Sequence, residues 1–209
     1  MKHAIGVIDI GLGNVNSLKN VIEFLGYKFN RINNHNDLAG VRKIILPGVG
    51  HYSHGVNQLK KYNLFDPLKE FPNNPDNSLL GICLGMQLLC KNSDESPQDK
   101  GLNLINASVV KFKQEKNIDL IVPHVGWNEV IPKIDNPLFD LSDEKRFFYF
   151  VHSYFVEIDD SEKGSLIAET NHGINFCSAF KKDNIFGVQF HPEKSHTFGL
   201  NLLQRFFEY

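Results

Sequence analysis

A chain of 209 residues, 42% of them hydrophobic, can bury a substantial core, and its length suits a single domain spanning residues 1–209. A formal net charge of −2 leaves no positive surplus to neutralise a phosphate backbone, which argues against nucleic acid as a partner. No apolar run approaches the roughly 20 residues that span a bilayer, and Asp9 interrupts the N-terminal run before it could serve as a secretion signal.

From the N-terminus the pattern predicts a strand over Ala4–Ile10, a helix near Asn14–Leu25, and strands near Tyr27–Ile32 and Lys43–Leu46. Two short helices follow between Ser53 and Phe71, and after the Pro72–Asn77 turn cluster comes the apolar run Ser78–Ile82. Strands joined by helical crossovers imply an α/β fold with a mostly parallel sheet, in which sites collect beyond the carboxyl ends of strands. Beyond Ser96 short β-prone runs take over: Ala107–Phe112, Leu120–Val122, Phe147–Ile158, Leu166–Thr170, Ile174–Phe180 and Ile185–Phe190. Turn clusters at Asn171–Gly173 and Lys182–Asn184 predict antiparallel hairpins, so the sheet is mixed. A closing helix over Ser195–Phe207 has Ser195 as its candidate N-cap and Phe198, Leu202 and Phe206 on one stripe.

The densest information lies in Gly81-Ile82-Cys83-Leu84-Gly85-Met86-Gln87-Leu88, where a buried strand turns directly into a Leu- and Met-rich helix with Cys83 at the junction. Glycines two positions before and after relieve crowding in such a turn, the logic of a G-x-S-x-G elbow with sulfur in place of the hydroxyl. Near the C-terminus, the strand Asn184–Phe190 runs into His191-Pro192-Glu193. On an extended backbone residues two apart project to one side, so His191 can serve a cysteine nucleophile as base while Glu193 fixes its tautomer. Cys90 and Cys177 lie in apolar runs and read as core; three cysteines without close pairing suit a reducing cytoplasm.

Leu46-Pro47-Gly48-Val49-Gly50 follows a strand, and its glycines let backbone amides turn toward a bound group; an amide here and that of Leu84 could receive the oxyanion of acyl transfer through Cys83. Gly11-Leu12-Gly13-Asn14-Val15-Asn16 lacks the third glycine and the downstream acidic residue of a dinucleotide loop. His51 and His54 share a helical face without a third ligand, so no metal or other cofactor is expected.

The motifs DIGLGN (9–14), LPGVG (46–50), GICLGMQLL (81–89), PHVGWN (123–128), FVHSY (150–154) and GVQFHPEKS (187–195) together resemble the class I, or triad, glutamine amidotransferases nearly end to end. Their order resembles one branch, the glutaminase subunits of imidazole glycerol phosphate synthases. The resemblance implies a class I amidotransferase fold: a central mixed, mostly parallel sheet flanked by helices, with an antiparallel C-terminal portion. It also implies Cys83 as nucleophile, His191 as base and then acid, and Glu193 as orienting carboxylate. By the same resemblance Val49 and Gly50 belong to the oxyanion loop, Gly50, Gln87, His152, Ser153 and Tyr154 hold L-glutamine, and Asn14, Trp127, Asn128 and Tyr149 meet a (β/α)₈-barrel synthase subunit that receives ammonia. Ile10, His51 and Val125 depart from the branch's usual residues. The Lys194–Gly199 stretch is similar to paralogous subunits that feed barrel partners amidating bacterial surface sugars, and a stand-alone γ-glutamyl hydrolase is the third reading.

Overall fold

The computed structural model describes residues 4–113, 120–142 and 145–209. In chain order the elements are β1 (Ala4–Ile8), α1 (Val15–Phe24), β2 (Lys28–Ile32), β3 (Lys43–Gly48), α2 (Tyr52–Lys61), α3 (Phe65–Glu70), β4 (Ser78–Cys83), α4 (Leu84–Leu88), β5 (Asn92–Ser93), β6 (Ala107–Lys111), β7 (His124–Glu129), β8 (Ile131–Pro132), β9 (Phe147–His152), β10 (Tyr154–Ile158), β11 (Leu166–His172), β12 (Ile174–Lys182), β13 (Ile185–Val188) and α5 (His196–Glu208).

The main sheet runs β2-β1-β3-β4-β13-β12-β10-β6-β5, with β11 added on β12 and β8 on β11. Its first five strands are parallel, β13 included. Both predicted hairpins form: β11 and β12 pair antiparallel through Asn171–Gly173, and β12 and β13 through the turn at Asp183. Strand β13 thus returns from a hairpin to lie parallel beside β4, Val188 opposite Ile82. That pairing brings the two chemistry-bearing segments, 106 residues apart, to the same end of the sheet.

Side-chain alternation divides the core between the sheet's two faces. Ile45 and Leu80 point to one face and pack with Ile22 of α1, Phe150 of β9 and Phe206 of α5. Ile44, Leu46 and Leu79 point to the other and pack with Val56, Leu68 and Met86 of the α2–α4 layer. Each such fully buried aliphatic or aromatic side chain contributes about 1.5–3 kcal/mol through removal from water.

Two expectations are corrected. Residues 120–122 form no strand; the strand begins at His124, after Pro123, which has no amide hydrogen to give a ladder. The apolar run 147–158 is two strands in different sheets. Strand β9 pairs with β7 as a separate antiparallel ribbon, and the chain breaks at Ser153 before β10 joins the main sheet between β12 and β6. Among the described residues, no helix is long and apolar enough to cross a membrane.

Candidate active site

Cys83 ends β4 and opens α4 with φ +54° and ψ −111°, a left-handed conformation that costs a non-glycine residue about 1–3 kcal/mol. The flanking glycines make the turn possible. A Cβ at Gly81 would lie 2.7 Å from the backbone of Gly85 and Met86, and one at Gly85 only 1.8 Å from the Leu46 carbonyl oxygen. The thiol is thereby fixed at the carboxyl end of the sheet, on the edge of a cavity of about 330 Å³.

That cavity is lined by Val49, Gly50, Cys83, Leu84, Gln87, His152, Ser153 and Tyr154, all anticipated from the sequence, and by Glu95 and Val151, which were not. Glu95 Oε2 accepts a 2.7 Å hydrogen bond from the Tyr52 amide, which holds a carboxylate at the cavity wall. A second cavity of similar size, about 370 Å³, lies between Arg146, Phe198 and Arg205 and contains no cysteine or histidine.

His191 Nδ1 lies 2.8 Å from Glu193 Oε1, with both side chains buried. The pairing was expected from two residues on an extended strand; the geometry differs. The strand ends at Val188, and Pro192–Lys194 form a 3₁₀ turn with Pro192 at its start, which folds Glu193 back onto the ring. Ser195 stands at the N-cap position of α5, as expected, but its side chain makes no cap hydrogen bond. Its Oγ donates to the His191 carbonyl at 2.6 Å and accepts from the Tyr149 amide at 3.0 Å, while the His191 amide donates to the Tyr149 carbonyl at 2.9 Å. These bonds lock the histidine loop to β9.

The other ring nitrogen, His191 Nε2, is buried and makes no hydrogen bond of ordinary geometry. Burial pulls the ring's pKa down, but the Cys83 sulfur and the Glu193 carboxylate outweigh it and raise it from 6.5 to about 10. Such a ring carries its proton at neutral pH, facing sulfur on one side and a carboxylate on the other.

The loop after β3 is held in one orientation. The Val49 amide donates to the Leu12 carbonyl at 2.5 Å, and Gly50 sits at φ +101°. His152 lines the cavity, yet both its ring nitrogens are engaged, Nδ1 with the Tyr154 carbonyl at 2.8 Å and Nε2 with His124 Nδ1 at 3.0 Å. Gln87 Nε2 donates to the Tyr154 carbonyl and to Gln189 Oε1, each at 3.1 Å. Gln189, fully buried and unremarked in the sequence, donates to Cys83 Sγ at 3.6 Å. Its signal was a lone amide inside the apolar run Val188-Gln189-Phe190.

The outward face of the β7–β9 ribbon carries Val125, Trp127, Phe147 and Val151, all exposed, with Tyr149 beside Trp127. His196 stacks flat on Trp127, with ring centroids 5.1 Å apart and planes 2° apart. Asn128 lies on the same strand, and Asn14 caps α1, accepting from the Ser17 amide at 3.3 Å.

A family model for glutamine amidotransferase class-I matches residues 6–208. The chain belongs to that family. Relatives of this amidotransferase include an imidazole glycerol phosphate synthase subunit HisH 2 from Methanococcus maripaludis, 46% identical over 97% of this chain and 98% of that one. The subunit HisH 2 of Pseudomonas aeruginosa is 39% identical over the same shares, and the subunit HisH of Methanocaldococcus jannaschii is 40% identical over 98% of each chain. Among solved structures, a glutamine amidotransferase superposes with a TM-score of 0.74 at 16% identity, covering 98% of this chain and 97% of that one. PurLQS from Thermotoga maritima gives 0.74 at 17% over 100% and 99%. At such identities the superpositions establish the class I amidotransferase fold.

Proposed function

We propose that this single domain is the glutaminase subunit of an imidazole glycerol phosphate synthase, hydrolysing L-glutamine and passing ammonia to a (β/α)₈-barrel synthase subunit in histidine biosynthesis. The observation that carries the chemistry is the buried His191 ring, 2.8 Å from Glu193 and facing the sulfur of Cys83, which itself lines the 330 Å³ cavity. End-to-end similarity to three HisH subunits supports the pathway.

The Cys83 sulfur attacks the carboxamide carbon of glutamine, forming a C–S bond and placing negative charge on the former carbonyl oxygen. The Leu84 amide and an amide of the Val49–Gly50 peptides stabilise that oxyanion. His191 gives its proton to the amide nitrogen; the C–N bond breaks, ammonia leaves and a γ-glutamyl thioester remains. His191 then takes a proton from water as its oxygen attacks the thioester, which releases glutamate and restores the sulfur. Gln87, Ser153 and Tyr154 position the substrate, and Glu95 supplies a carboxylate for its ammonium group. His152, with both nitrogens engaged, shapes the wall. The apolar ribbon bearing Trp127 and Tyr149, joined by Asn128 and Asn14, receives the barrel.

A second reading keeps this chemistry and changes the acceptor to a bacterial surface sugar. The observation behind it is that His196, from the stretch similar to those paralogues, is stacked on Trp127 in the ribbon's outward face. A stand-alone hydrolase gives that exposed apolar ribbon no role. Complementation separates the first two: expressed with its cognate barrel protein in a histidine auxotroph lacking its own glutaminase subunit, the chain restores growth. Absence of growth from a folded complex that hydrolyses glutamine when given an activated sugar ligand transfers the function to the surface-sugar reading.

A further inference from the structure

Between strand β7 and Cys83 the polar groups, half-buried at Asn128 and buried at His124, His152, Gln87 and Gln189, form one unbroken hydrogen-bond chain. Asn128 Nδ2 meets His124 Nε2 at 3.2 Å, and His124 Nδ1 meets His152 Nε2 at 3.0 Å. His152 Nδ1 meets the Tyr154 carbonyl at 2.8 Å, which also accepts from Gln87 at 3.1 Å. Gln87 donates again to Gln189 Oε1, and Gln189 Nε2 donates to Cys83 Sγ at 3.6 Å.

Donor and acceptor counting leaves every link a single orientation. A carbonyl oxygen only accepts, so the proton of His152 is on Nδ1 and its Nε2 is bare. His124 must then donate from Nδ1 and accept at Nε2, which the Asn128 amide supplies while its second hydrogen goes to the Asn171 carbonyl at 2.8 Å. At the other end Gln87 gives both its hydrogens away, so Gln189 presents oxygen to Gln87 and N–H to sulfur. Both imidazoles are neutral; an added proton would set donor against donor.

On the glutaminase reading above, we infer that His124 is a positioning residue: through His152 it holds in place the Tyr154 carbonyl that orients Gln87 and hence the Gln189 N–H donor on the Cys83 sulfur, which couples that donor to Asn128 on the partner-facing strand. Burial of both imidazoles supports the neutral state, holding His124 down at about 4 and His152 at about 3. The titratable groups around them are His172, stacked on His124 with centroids 4.0 Å apart, and His191; around Cys83 they are His191, Glu193 and Glu95. A buried donor aimed at sulfur favours negative charge there and holds the nucleophile on line, an effect that appears in kcat and in thiol reactivity rather than in substrate affinity.

The test separates hydrogen bonding from packing, because the His124 ring also stacks on Phe150 at 4.7 Å between centroids. His124→Phe keeps a stacked ring and removes the donor; His124→Asn removes the ring and keeps a donor at the Nδ1 position. The readout is the rate of iodoacetamide alkylation at Cys83 in the full-length chain at pH 7, followed by peptide mass spectrometry with buried Cys90 and Cys177 as internal references. It is paired with kcat and KM for glutamine in the presence of the barrel subunit. Alkylation and kcat are expected to fall about tenfold in His124→Phe and in Gln189→Leu, with KM within about twofold, while His124→Asn stays within about twofold of wild type. Gln189→Leu reports on the last link even if His124→Phe fails to fold. Wild-type alkylation in both variants, or a loss confined to Gln189→Leu, overturns the coupling. Equal losses in His124→Phe and His124→Asn assign the ring to packing and overturn it too. If alkylation follows the expected pattern while no variant, wild type included, hydrolyses glutamine with any partner, the chain stands and the proposed function fails.

Discussion

The Val49 amide donates to the Leu12 carbonyl and not to the cavity beside Cys83. An N–H committed to a carbonyl cannot receive an oxyanion, so the loop has to rotate before Val49 can take part in the chemistry. Gly50, at positive φ in open space, is a hinge that tolerates the rotation. Glutaminase activity of the isolated chain is therefore expected to be weak and to rise by orders of magnitude with the barrel subunit and its ligand bound. Hydrogen exchange checks the cause: the Val49 amide is protected in the free chain and loses protection in the active complex. Full activity without a partner contradicts this account.

Removing the sulfur isolates ammonia production. Cys83→Ala is expected to lower glutamine-dependent synthesis by at least about 10³-fold while leaving synthesis from ammonium salts intact in the reconstituted complex. Glutamine hydrolysis at the wild-type rate in that variant removes Cys83 from the mechanism.

Glu193→Gln takes away the charge behind the imidazole but leaves a hydrogen-bond partner, so its loss of kcat is expected to be smaller, about 10²-fold. It also alters stability at alkaline pH. The folded pKa of His191, about 10, exceeds its ordinary 6.5, so the stabilisation from its proton is complete below pH 6.5 and is lost as pH rises through about 10. Urea unfolding from pH 6.5 to 10 should show a shallower decline in the variant than in the wild type.

The acid limb has the opposite sign. Buried neutral His124 and His152 have folded pKa values of about 4 and 3, below 6.5, so their contribution is full above pH 6.5 and is lost as pH falls toward those values. Between pH 6.5 and 4 the unfolding free energy should drop in the wild type and less steeply in His124→Asn, which has one fewer group to titrate.

Gly85→Ala tests the elbow. Its new Cβ would meet the Leu46 backbone oxygen, which cannot move without disturbing the register between β3 and β4, so a destabilisation of about 3 kcal/mol is expected by denaturant titration.

The candidate triad was legible because its members are announced by short-range features: glycines two either side of Cys83, and His191 and Glu193 within one turn of chain. His191 and Glu193 meet by a different geometry from the extended one their spacing suggests, since a proline-initiated 3₁₀ turn and not a strand brings them together. Gln189 is masked in the sequence because it stands in a run whose apolar neighbours read as core, and its partner Gln87 is 102 residues away. Glu95 lies in a polar turn with no periodicity to mark it; only the packing of α2 against that turn shows its carboxylate facing the cavity. The break at Ser153 left no composition signal, because both strands beside it are equally rich in β-formers.

Trp127 is the chain's one tryptophan, and it stands half-exposed on the ribbon with an imidazole laid flat against it. Indole emission shifts to the blue when water leaves the ring and is quenched by a stacked imidazole, so the molecule carries a native fluorophore at the place proposed to dock. Association can be titrated by ultraviolet excitation without any label, and a His196→Ala chain, brighter before mixing, would separate dehydration of the indole from release of its stacking neighbour.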